Sequence, residues 1–597
     1  MTEHNTYPSK DLYKLSTGKS VTSLISFPTP IDEYRSAFEE RTQPFLNYYT
    51  FEQSNVQKRT LTRGEFWDMA CLGAAYISER GLSKGDRIVH CFSSNSSYDL
   101  VFRLAEALVG CVPVTINWQS DDNERIIYKA TITDSKLLLY DKDFAGRIEE
   151  IKPDLLSRLF FEVENIEEYQ SNGNWAYPLL TYDDEKIIIF TAGTTGKPKG
   201  VSLSHRSYLA NRLTYEQYFG VLRTTQLDLL LVNPLHHANS TALADWGMRR
   251  SGAIIHLVQR YSTPYWSTLV EAASKKRDLF VISVVSRHID FLENHSAQSK
   301  LPTEEDKVKD ALSQTAILIG SAPVGPTTVK RILKFSNRLP HVRFGSTETC
   351  LQVMAIPTTM TEDETMAAFE AGWAHHHNAE EAVGYYIGRE HFPFTRVKIV
   401  KNIEPVSNDY MHPCDIGEPG YLITQGANIM SCYVGDEEAT KAVFREGWYT
   451  GLRDICFALK NKDGSVDYYW MARDSELLIR GGANYSNAQI AAELAKVVEE
   501  DFQLKPDQFK LAVVGLRIES EHEDDCCVTI ELSKEVASIK SHLKAGFIQK
   551  ASEKVSKSAR PDHIRFAQVP LSFKGTILYP QLKQEFEQSL LQGRSIK

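Results

Sequence analysis

The chain has 597 residues, of which 42% are hydrophobic and 24% are charged, and its formal net charge is −10. This length predicts about two to four domains, because a single hydrophobic core does not serve so long a chain. The acidic balance argues against a general nucleic-acid or anionic-membrane binder, since either would carry a basic face.

Short apolar runs alternate with helical patterns through the first 320 residues. The runs are RIVHCF, KLLLYD, KIIIFT, DLLLVN, AIIHLV, LFVISVV and TAILIG. Apolar runs separated by helices indicate parallel strands, so we predict an α/β fold with layered sheets. No window of about 18 apolar residues occurs, so no membrane span is expected.

The pattern changes in the last third of the chain. GYLITQGANIMSCYVG, which begins at Gly420, predicts an antiparallel β-rich subdomain, and AQIAAELAKVVEEDF with the apolar runs after it predicts a small α+β module. We therefore expect a large domain over residues 1–472 and a small mobile domain over 473–597, with a hinge at 473–476. The nine cysteines, dispersed apart from the adjacent Cys526 and Cys527, form no CxxC pair and are typical of reduced, buried thiols, with a reactive cysteine as the alternative. A cytoplasmic location is therefore expected.

TAGTTGKPKG, from Thr191 to Gly200, is the strongest candidate for a binding segment. A Walker A loop requires Ser or Thr after Gly-Lys, but Pro198 stands there, so that loop type is excluded. Glycines nevertheless let backbone N–H groups approach an anion, threonine hydroxyls add donors, and Lys199 adds a positive charge. The composition favours a phosphate cradle over the alternative, a solvated surface turn.

TAGTTGKPKGV resembles the signature loop of the adenylate-forming superfamily, within which the chain is similar to the AMP-dependent acyl-CoA synthetase/ligase family from about Tyr49 to Leu582. Further segments resemble motifs of that family in the family's order: PLHH, GSAPVGP, RFGSTE, NIMSCYVGDEEATKAVF, GWYTGLRD and RDSELLIRGGANYS. The resemblance implies that ATP and Mg²⁺ activate a small carboxylic acid to an acyl-adenylate with release of pyrophosphate. The acyl group then passes to a thiol, for which CoA is expected.

The resemblance also assigns the groups that contact the triphosphate. The residues implied for the β- and γ-phosphates are Thr191, Thr194, Thr195, Gly196 and Lys199. Thr347 would hydrogen-bond the α-phosphate, and Glu348 would hold Mg²⁺, since hard cations favour carboxylate ligands. A plain turn that enters a strand is the alternative interpretation of the segment around Thr347.

The nucleoside is assigned in the same way. Phe344 replaces the family's usual tyrosine against the adenine, and stacking needs only the ring plane. The other residues implied around the adenine are Gly320, Ala322, Pro323 and Gly345. Asp454 and Arg473 would bind the ribose, but the chain has TGLRD where the family has TGD, so an ordinary surface ion pair remains the alternative.

The C-terminal segment VPLSFKGTILYPQLK departs from the family pattern. The family places a catalytic lysine after the glycine, where this chain has Thr576. Lys574 lies two residues earlier, and positions i and i+2 of a strand share a face, so Lys574 is a candidate substitute. If it is not, a catalytically weakened nucleotide-binding relative is the alternative.

The acid and the acceptor are less readable. His236 and His237 could line the acyl pocket; a metal pair is the alternative, although adjacent histidines in a strand face opposite sides. Asp245 and Arg287 lie in segments that could face this pocket, where charged groups would suit a polar acid. No carrier domain fits after the last motif, so free CoA or a separate carrier protein is the expected acceptor.

Overall fold

The computed structural model describes residues 10–52, 55–191, 198–320, 323–377, 380–381, 383–473, 476–480, 483–516, 518, 524–555, 559–571 and 577–594. Two compact units are present. The first contains residues 1–367, 387–398 and 423–452, and the second contains 368–386, 399–422 and 453–597. The chain therefore passes between the units several times before residue 453, and the hinge at 473–476 remains a prediction.

The strands are β1 Pro44–Glu52, β2 Asn55–Thr62, β3 Arg87–Cys91, β4 Val112–Thr115, β5 Leu137–Tyr140, β6 Leu159–Glu162, β7 Glu185–Thr191, β8 Lys199–Ser204, β9 Leu227–Leu231, β10 Ile254–Val258, β11 Leu279–Val284, β12 Ala316–Ile319, β13 His341–Phe344, β14 Met354–Ala355, β15 His376–His377, β16 Glu380–Glu381, β17 Tyr385–Glu390, β18 Thr395–Val400, β19 Gly420–Gly426, β20 Cys432–Tyr433, β21 Phe444–Arg445, β22 Trp448–Tyr449, β23 Asp454–Lys460, β24 Val466–Arg473, β25 Leu477–Arg480, β26 Ala483–Ser486, β27 Phe509–Leu516, β28 Asp525–Leu532 and β29 His563–Phe566.

The α-helices are α1 Pro30–Ala37, α2 Arg63–Glu79, α3 Ser97–Val109, α4 Asn123–Ile132, α5 Ala145–Ile151, α6 His205–Tyr218, α7 Ala238–Met248, α8 Tyr265–Ala273, α9 Ser286–Ala297, α10 Glu305–Ser313, α11 Pro326–Ser336, α12 Glu362–Trp373, α13 Glu437–Val443, α14 Asn487–Phe502, α15 Lys540–Lys554 and α16 Tyr579–Arg594. No helix in the described ranges has both the length and the apolar composition needed to cross a membrane.

One sheet of the first unit has the strand order β2-β1-β10-β9-β11-β12-β13-β14. Six of these strands, β1 and β9 to β13, run parallel to one another. The carboxyl ends of all six therefore meet at one edge, which is where parallel α/β sheets place their ligands.

A second sheet of the first unit has the order β20-β8-β7-β4-β3-β5-β6. β6, β5, β3, β4 and β7 are parallel, whereas β8 and β20 are antiparallel to their neighbours. The seven apolar runs predicted as parallel strands correspond to β3, β5, β7, β9, β10, β11 and β12, and each pairs in parallel with a neighbour. The predicted α/β class is confirmed.

Helices α2 and α3 form part of the main core of the first unit. Gly73 allows their close approach, because a Cβ atom there would lie 2.9 Å from the Ala105 side chain. α3 begins after Ser96, whose hydroxyl accepts from the Tyr98 amide, and ends at Gly110 with a left-handed φ of 74°. The cap and the terminal glycine fix where this almost entirely buried helix begins and ends.

The C-terminal part of the second unit contains the predicted α+β elements. β27, β28 and β29 form a three-stranded sheet, with α14 and α15 on one face and α16 on the other. Cys526 and Cys527 are adjacent in β28 and belong to the cores on opposite faces, as strand geometry requires. The nine cysteines all lie among the described residues and are outside any disulfide, six of them buried and three half-buried, which suits an apolar packing role rather than reactivity.

Candidate active site

The carboxyl ends of β9, β12 and β13 carry three of the predicted motifs. PLHH follows β9, GSAPVGP follows β12, and GSTE follows β13. β11 lies between β9 and β12 and β13 pairs with β12, so these segments leave one sheet at the same edge. The structure thus brings the predicted acyl, adenine and magnesium segments together.

The predicted phosphate loop connects β7 to β8. These strands are antiparallel and Thr191 lies opposite Lys199, so the two residues stand at the mouth of a hairpin, and both are half-buried. Residues 192–197, including Thr194, Thr195 and Gly196, lie outside the described residues. We call β7, β8 and their connection the phosphate hairpin.

Lys199 and Glu348 are connected through Tyr433, the last residue of β20. The Lys199 Nζ lies 5.0 Å from the centroid of the Tyr433 ring, and the Tyr433 hydroxyl donates to Glu348 Oε1 at 3.1 Å. Burial first, and then the Glu348 carboxylate, raise the pKa of Tyr433 well above its ordinary value, so its hydroxyl remains a donor. A cation, a ring and a carboxylate therefore stand together beside the phosphate hairpin.

Tyr433 lies in the segment NIMSCYVGDEEATKAVF, which the sequence analysis identified as a family motif, but the residue itself was not predicted to be part of the site. The resemblance of this segment to a family motif was a signal that its residues lie near the site. β20 pairs with β8, so that Tyr433 lies opposite Val201, two residues beyond Lys199. Strand pairing places the tyrosine ring beside the lysine, which no local pattern could indicate.

A tight turn after β13 positions Glu348. The Ser346 amide donates to Thr349 Oγ1 at 2.9 Å and the Leu351 amide to the Ser346 carbonyl at 2.8 Å, while the Met430 amide donates to the Glu348 carbonyl at 2.7 Å. A Cβ atom on Gly345 would lie 2.0 Å from the Leu351 carbonyl oxygen, so only glycine fits there. Thr347 and Glu348 are half-buried, which leaves their oxygens near solvent.

The two adenine segments approach each other closely. A Cβ atom on Gly320 would lie 2.8 Å from the Arg343 carbonyl oxygen, which explains glycine at this position. Phe344 is half-buried at the end of β13 and Pro323 is exposed, whereas Ala322 lies outside the described residues. A half-buried aromatic ring followed by glycine suits stacking on a flat purine.

PLHH, from Pro234 to His237, is called the gate segment below. His236 is buried and His237 is half-buried, with their ring centroids 4.4 Å apart. Just beyond it, Asn239 Nδ2 donates to Ser283 Oγ at 2.6 Å, which joins the first turn of α7 to the end of β11. The residues that the structure describes include no group of three or more His, Cys, Asp or Glu side chains suited to a metal ion.

The expectation that Asp245 faces an acyl pocket is wrong. Its side chain is buried and bonded to Lys186 Nζ at 2.8 Å, to the Tyr34 hydroxyl at 2.6 Å and to Arg249 Nε at 2.8 Å. The nearby cations, which outweigh the effect of burial, lower the pKa of Asp245 well below its ordinary value. Arg287 is exposed and lies 5.2 Å from the Phe291 ring.

The predicted ribose pair lies in the second unit. Asp454 and Arg473 are directly opposite each other on β23 and β24, with Asp454 Oδ1 and Arg473 Nε 3.8 Å apart. Asp454 is buried and accepts from Trp470 Nε1 at 2.8 Å, whereas the Arg473 side chain is 62% exposed. Arg473 thus lies next to Asp454 although two residues are inserted before Asp454. The role of the pair in ribose binding remains a prediction.

The last predicted groups, Lys574 and Thr576, lie outside the described residues. The proposal that Lys574 replaces the family's lysine therefore depends on the sequence. The adjoining segment is described as far as Leu571, which forms an isolated antiparallel bridge to Ile577.

Comparison with known proteins places these features in a family. The AMP-binding enzyme family matches residues 38–434. Among curated proteins, the mitochondrial medium-chain acyl-CoA ligase of Homo sapiens is 24% identical over 563 residues, covering 85% of this chain and 80% of that protein. The 2-succinylbenzoate–CoA ligase of Bacillus velezensis is 24% identical over 442 residues, covering 73% of this chain and 78% of that protein.

Solved structures share the fold. The o-succinylbenzoate CoA synthetase of Bacillus subtilis, in complex with its acyl-adenylate intermediate, superimposes with a TM-score of 0.70 at 19% identity, covering 93% of this chain and 98% of that chain. The McyG A-PCP structure complexed with phenylalanyl-adenylate gives a TM-score of 0.72 at 17% identity, covering 96% and 97%. Together with the match over residues 38–434, the site geometry has one conclusion: the chain belongs to the AMP-binding enzyme family.

Proposed function

We propose that this enzyme activates a carboxylic acid with ATP, forming an acyl-adenylate and releasing pyrophosphate, and then transfers the acyl group to the thiol of CoA. The observation that carries the proposal is the grouping of Lys199, Tyr433 and Glu348 beside the phosphate hairpin. In a member of the AMP-binding family, a lysine, a tyrosine and a carboxylate grouped in this way support the binding of a triphosphate with its magnesium ion.

The first step requires two anions to meet. A carboxylate oxygen forms a bond to the α-phosphorus while the bond to the pyrophosphate oxygen breaks, so negative charge collects on the departing phosphates. Lys199 and the hydroxyl of Thr191 offset and orient that charge, and Thr347 donates to the α-phosphate. Glu348 would hold Mg²⁺, which neutralises phosphate charge when bound, and the Tyr433 hydroxyl fixes the orientation of the carboxylate.

The nucleoside end is proposed to lie against Phe344, between the backbone of Gly320 and that of Gly345. Asp454 and Arg473 are proposed to bind the ribose hydroxyls, which the spacing of their strand register supports. Lys574 is proposed to bridge the carboxylate and the α-phosphate. We also propose that residues 473–597 act as a small domain, because β24 ends at residue 473 and a new strand begins at 477.

The second step transfers the acyl group. A thiolate attacks the acyl carbon, a thioester forms, and AMP leaves with the electron pair of the broken C–O bond. CoA is the proposed acceptor, since the curated relatives compared above are named CoA ligases. A free-standing carrier protein is the second candidate, favoured by the fold shared with an adenylation–carrier structure. Nine cysteines outside any disulfide support a cytoplasmic location as part of this proposal.

Acid-dependent ATP–pyrophosphate exchange tests the first step. The wild-type enzyme is assayed with pools of short, medium-chain, aromatic and dicarboxylic acids, with a no-acid control, and active pools are then divided. We expect exchange that depends on one acid class and on Mg²⁺. Retained ATP binding with no acid-dependent exchange in any pool would overturn the proposal.

The acceptor is tested with the acid found in the exchange assay. CoA, pantetheine and a phosphopantetheinylated carrier protein are compared for thioester formation, with AMP release measured in parallel. We expect thioester formation with CoA at micromolar concentration. Thioester formation on the carrier protein alone would instead support the second candidate.

A further inference from the structure

The gate segment is fixed to the main core through one peptide unit. The Leu235 amide donates to Asn95 Oδ1 at 2.8 Å, and Arg103 Nη2 donates to the Leu235 carbonyl at 3.0 Å. Leu235 is itself buried and directly precedes His236. Both polar groups of this residue are therefore bonded to side chains from the segment that contains α3.

Arg103 is the last member of a buried chain of charged residues. Asp99 Oδ1 accepts from Arg103 Nε at 2.6 Å and lies 2.8 Å from His90 Nδ1, and His90 Nε2 lies 2.7 Å from Glu106 Oε1. All four residues are less than 8% exposed. We call Glu106, His90, Asp99 and Arg103 the buried relay.

Stability alone does not explain the relay. Removing charges from water costs several kcal/mol per ion, and a well-packed apolar cluster of similar volume is often at least as stable. The relay would contribute fixed geometry instead, since His90, Asp99 and Arg103 are each oriented by two partners. The guanidinium at its end points at the backbone of the gate segment.

Packing between the relay and the gate segment leaves little freedom. The space lined by His90, Asp99, Arg103, Trp118, Leu235 and His236 is a cavity of about 10 Å³, which is about the smallest space that can hold one water. The Trp118 and His236 rings lie 5.7 Å apart, nearly perpendicular. A shift of the Arg103 head therefore displaces Leu235 and the histidine rings rather than being absorbed by a void.

We propose that Arg103 is a positioning residue for the acid substrate: it fixes the Leu235 peptide, and through it the placement of His236 and His237 at the acyl pocket. The proposal depends on the function proposed above for its consequence in catalysis. Its structural part does not, because the position of the gate segment can be measured without turnover. Arg103 acts on the acid only through the Leu235 peptide.

The test compares Arg103→Lys with Arg63→Lys. Arg63 is a matched control, because it is also fully buried and donates to the backbone carbonyls of Ala37, Arg250 and Ala253. Lysine keeps the charge in both variants but removes the planar fork. Asp99→Asn is the second variant, which keeps the arginine and removes the carboxylate that orients it.

Hydrogen–deuterium exchange of the peptide covering residues 232–240 is the first measurement. We expect faster exchange of this peptide in Arg103→Lys and Asp99→Asn, and wild-type exchange in Arg63→Lys. Steady-state kinetics are the second. We expect the KM for the acid to rise about tenfold, because a factor of ten corresponds to the loss of about one strong hydrogen bond. The KM for ATP should stay within about twofold of the wild-type value. KM values do not depend on the fraction of enzyme that has unfolded.

Unchanged exchange of the gate peptide in both relay variants would overturn the proposal. So would an acid KM that is unchanged, or one that rises together with the ATP KM, because a general loosening of the first unit would then account for the effect. If the wild-type enzyme shows no acid-dependent ATP–pyrophosphate exchange, the proposed function fails. The hydrogen–deuterium exchange of the gate peptide still decides whether Arg103 fixes the gate segment.

Discussion

Replacing Tyr433 by Phe tests the link between the phosphate hairpin and the proposed magnesium ligand. The change removes one hydroxyl, which donates to Glu348 at 3.1 Å, and keeps the ring beside Lys199. A hydrogen bond to a charged group contributes about 1.5–3 kcal/mol, and about 1.4 kcal/mol corresponds to a factor of ten. We expect kcat/KM for MgATP in the exchange assay to fall about 10- to 100-fold.

A double-mutant cycle separates this bond from other effects of the change. In a Glu348→Gln background the acceptor is neutral, so adding Tyr433→Phe should cost only about threefold more, which corresponds to a weak neutral hydrogen bond. Equilibrium binding of ATP with Mg²⁺ provides a second measurement for variants with low turnover. Equal losses from Tyr433→Phe in both backgrounds would refute the reasoning, because the hydroxyl would then act independently of the Glu348 charge.

Three further predictions concern single groups. Lys199→Ala should weaken ATP-dependent exchange at least about 100-fold whereas Lys197→Ala, a loop lysine without an assigned role, should cost less than about threefold in the same assay. Burial lowers the pKa of His90, but Glu106 and Asp99 outweigh burial and raise this pKa to about 9. The protonated His90 therefore adds its full contribution to the free energy of unfolding below the pKa of the unfolded chain, near 6.5, and this contribution is lost as the pH rises through 9. The stability advantage of the wild type over His90→Gln, measured by denaturant unfolding, should thus fall by up to about 3 kcal/mol between pH 6.5 and 9 and should not fall between pH 5 and 6. Lys574→Ala should slow adenylation while leaving transfer from a preformed acyl-adenylate intact; an unchanged adenylation rate would remove Lys574 from the site.

The sequence alone predicted those elements and site residues whose structure is determined by a local pattern. KIIIFT has an apolar centre with glycines after it, and it forms most of β7, the first strand of the phosphate hairpin. Gly320 and Gly345 were identified from motifs, and each proves to lie where a Cβ atom would collide with a carbonyl oxygen. Motifs of this kind are readable because their residue types are required by backbone contacts within or between adjacent loops.

Contacts between segments that are distant in the sequence could not be predicted from it. Tyr433 meets Glu348 across 85 residues, and Tyr34 meets Asp245 across 211. Charged residues are rarely buried, so a sequence assigns Asp245 to a surface or a pocket unless its partner is known. One such partner, Lys186, lies in β7 at the start of the run KIIIFT, 59 residues before Asp245 in the sequence.

The pair formed by Lys186 and Asp245 has a consequence for the whole site. β7 is the first strand of the phosphate hairpin, and α7, which carries Asp245, begins directly after the gate segment. Burial lowers the pKa of Lys186 to about 8, even though Asp245 opposes that shift, so the pair is held at an energetic cost. The Lys186–Asp245 pair therefore joins β7 of the phosphate hairpin to α7, the helix after the gate segment, just as the relay joins the gate segment to α3. A reaction that brings two anions together needs their positions fixed relative to each other, and oriented ionic contacts provide this better than apolar packing, which tolerates small shifts of its members.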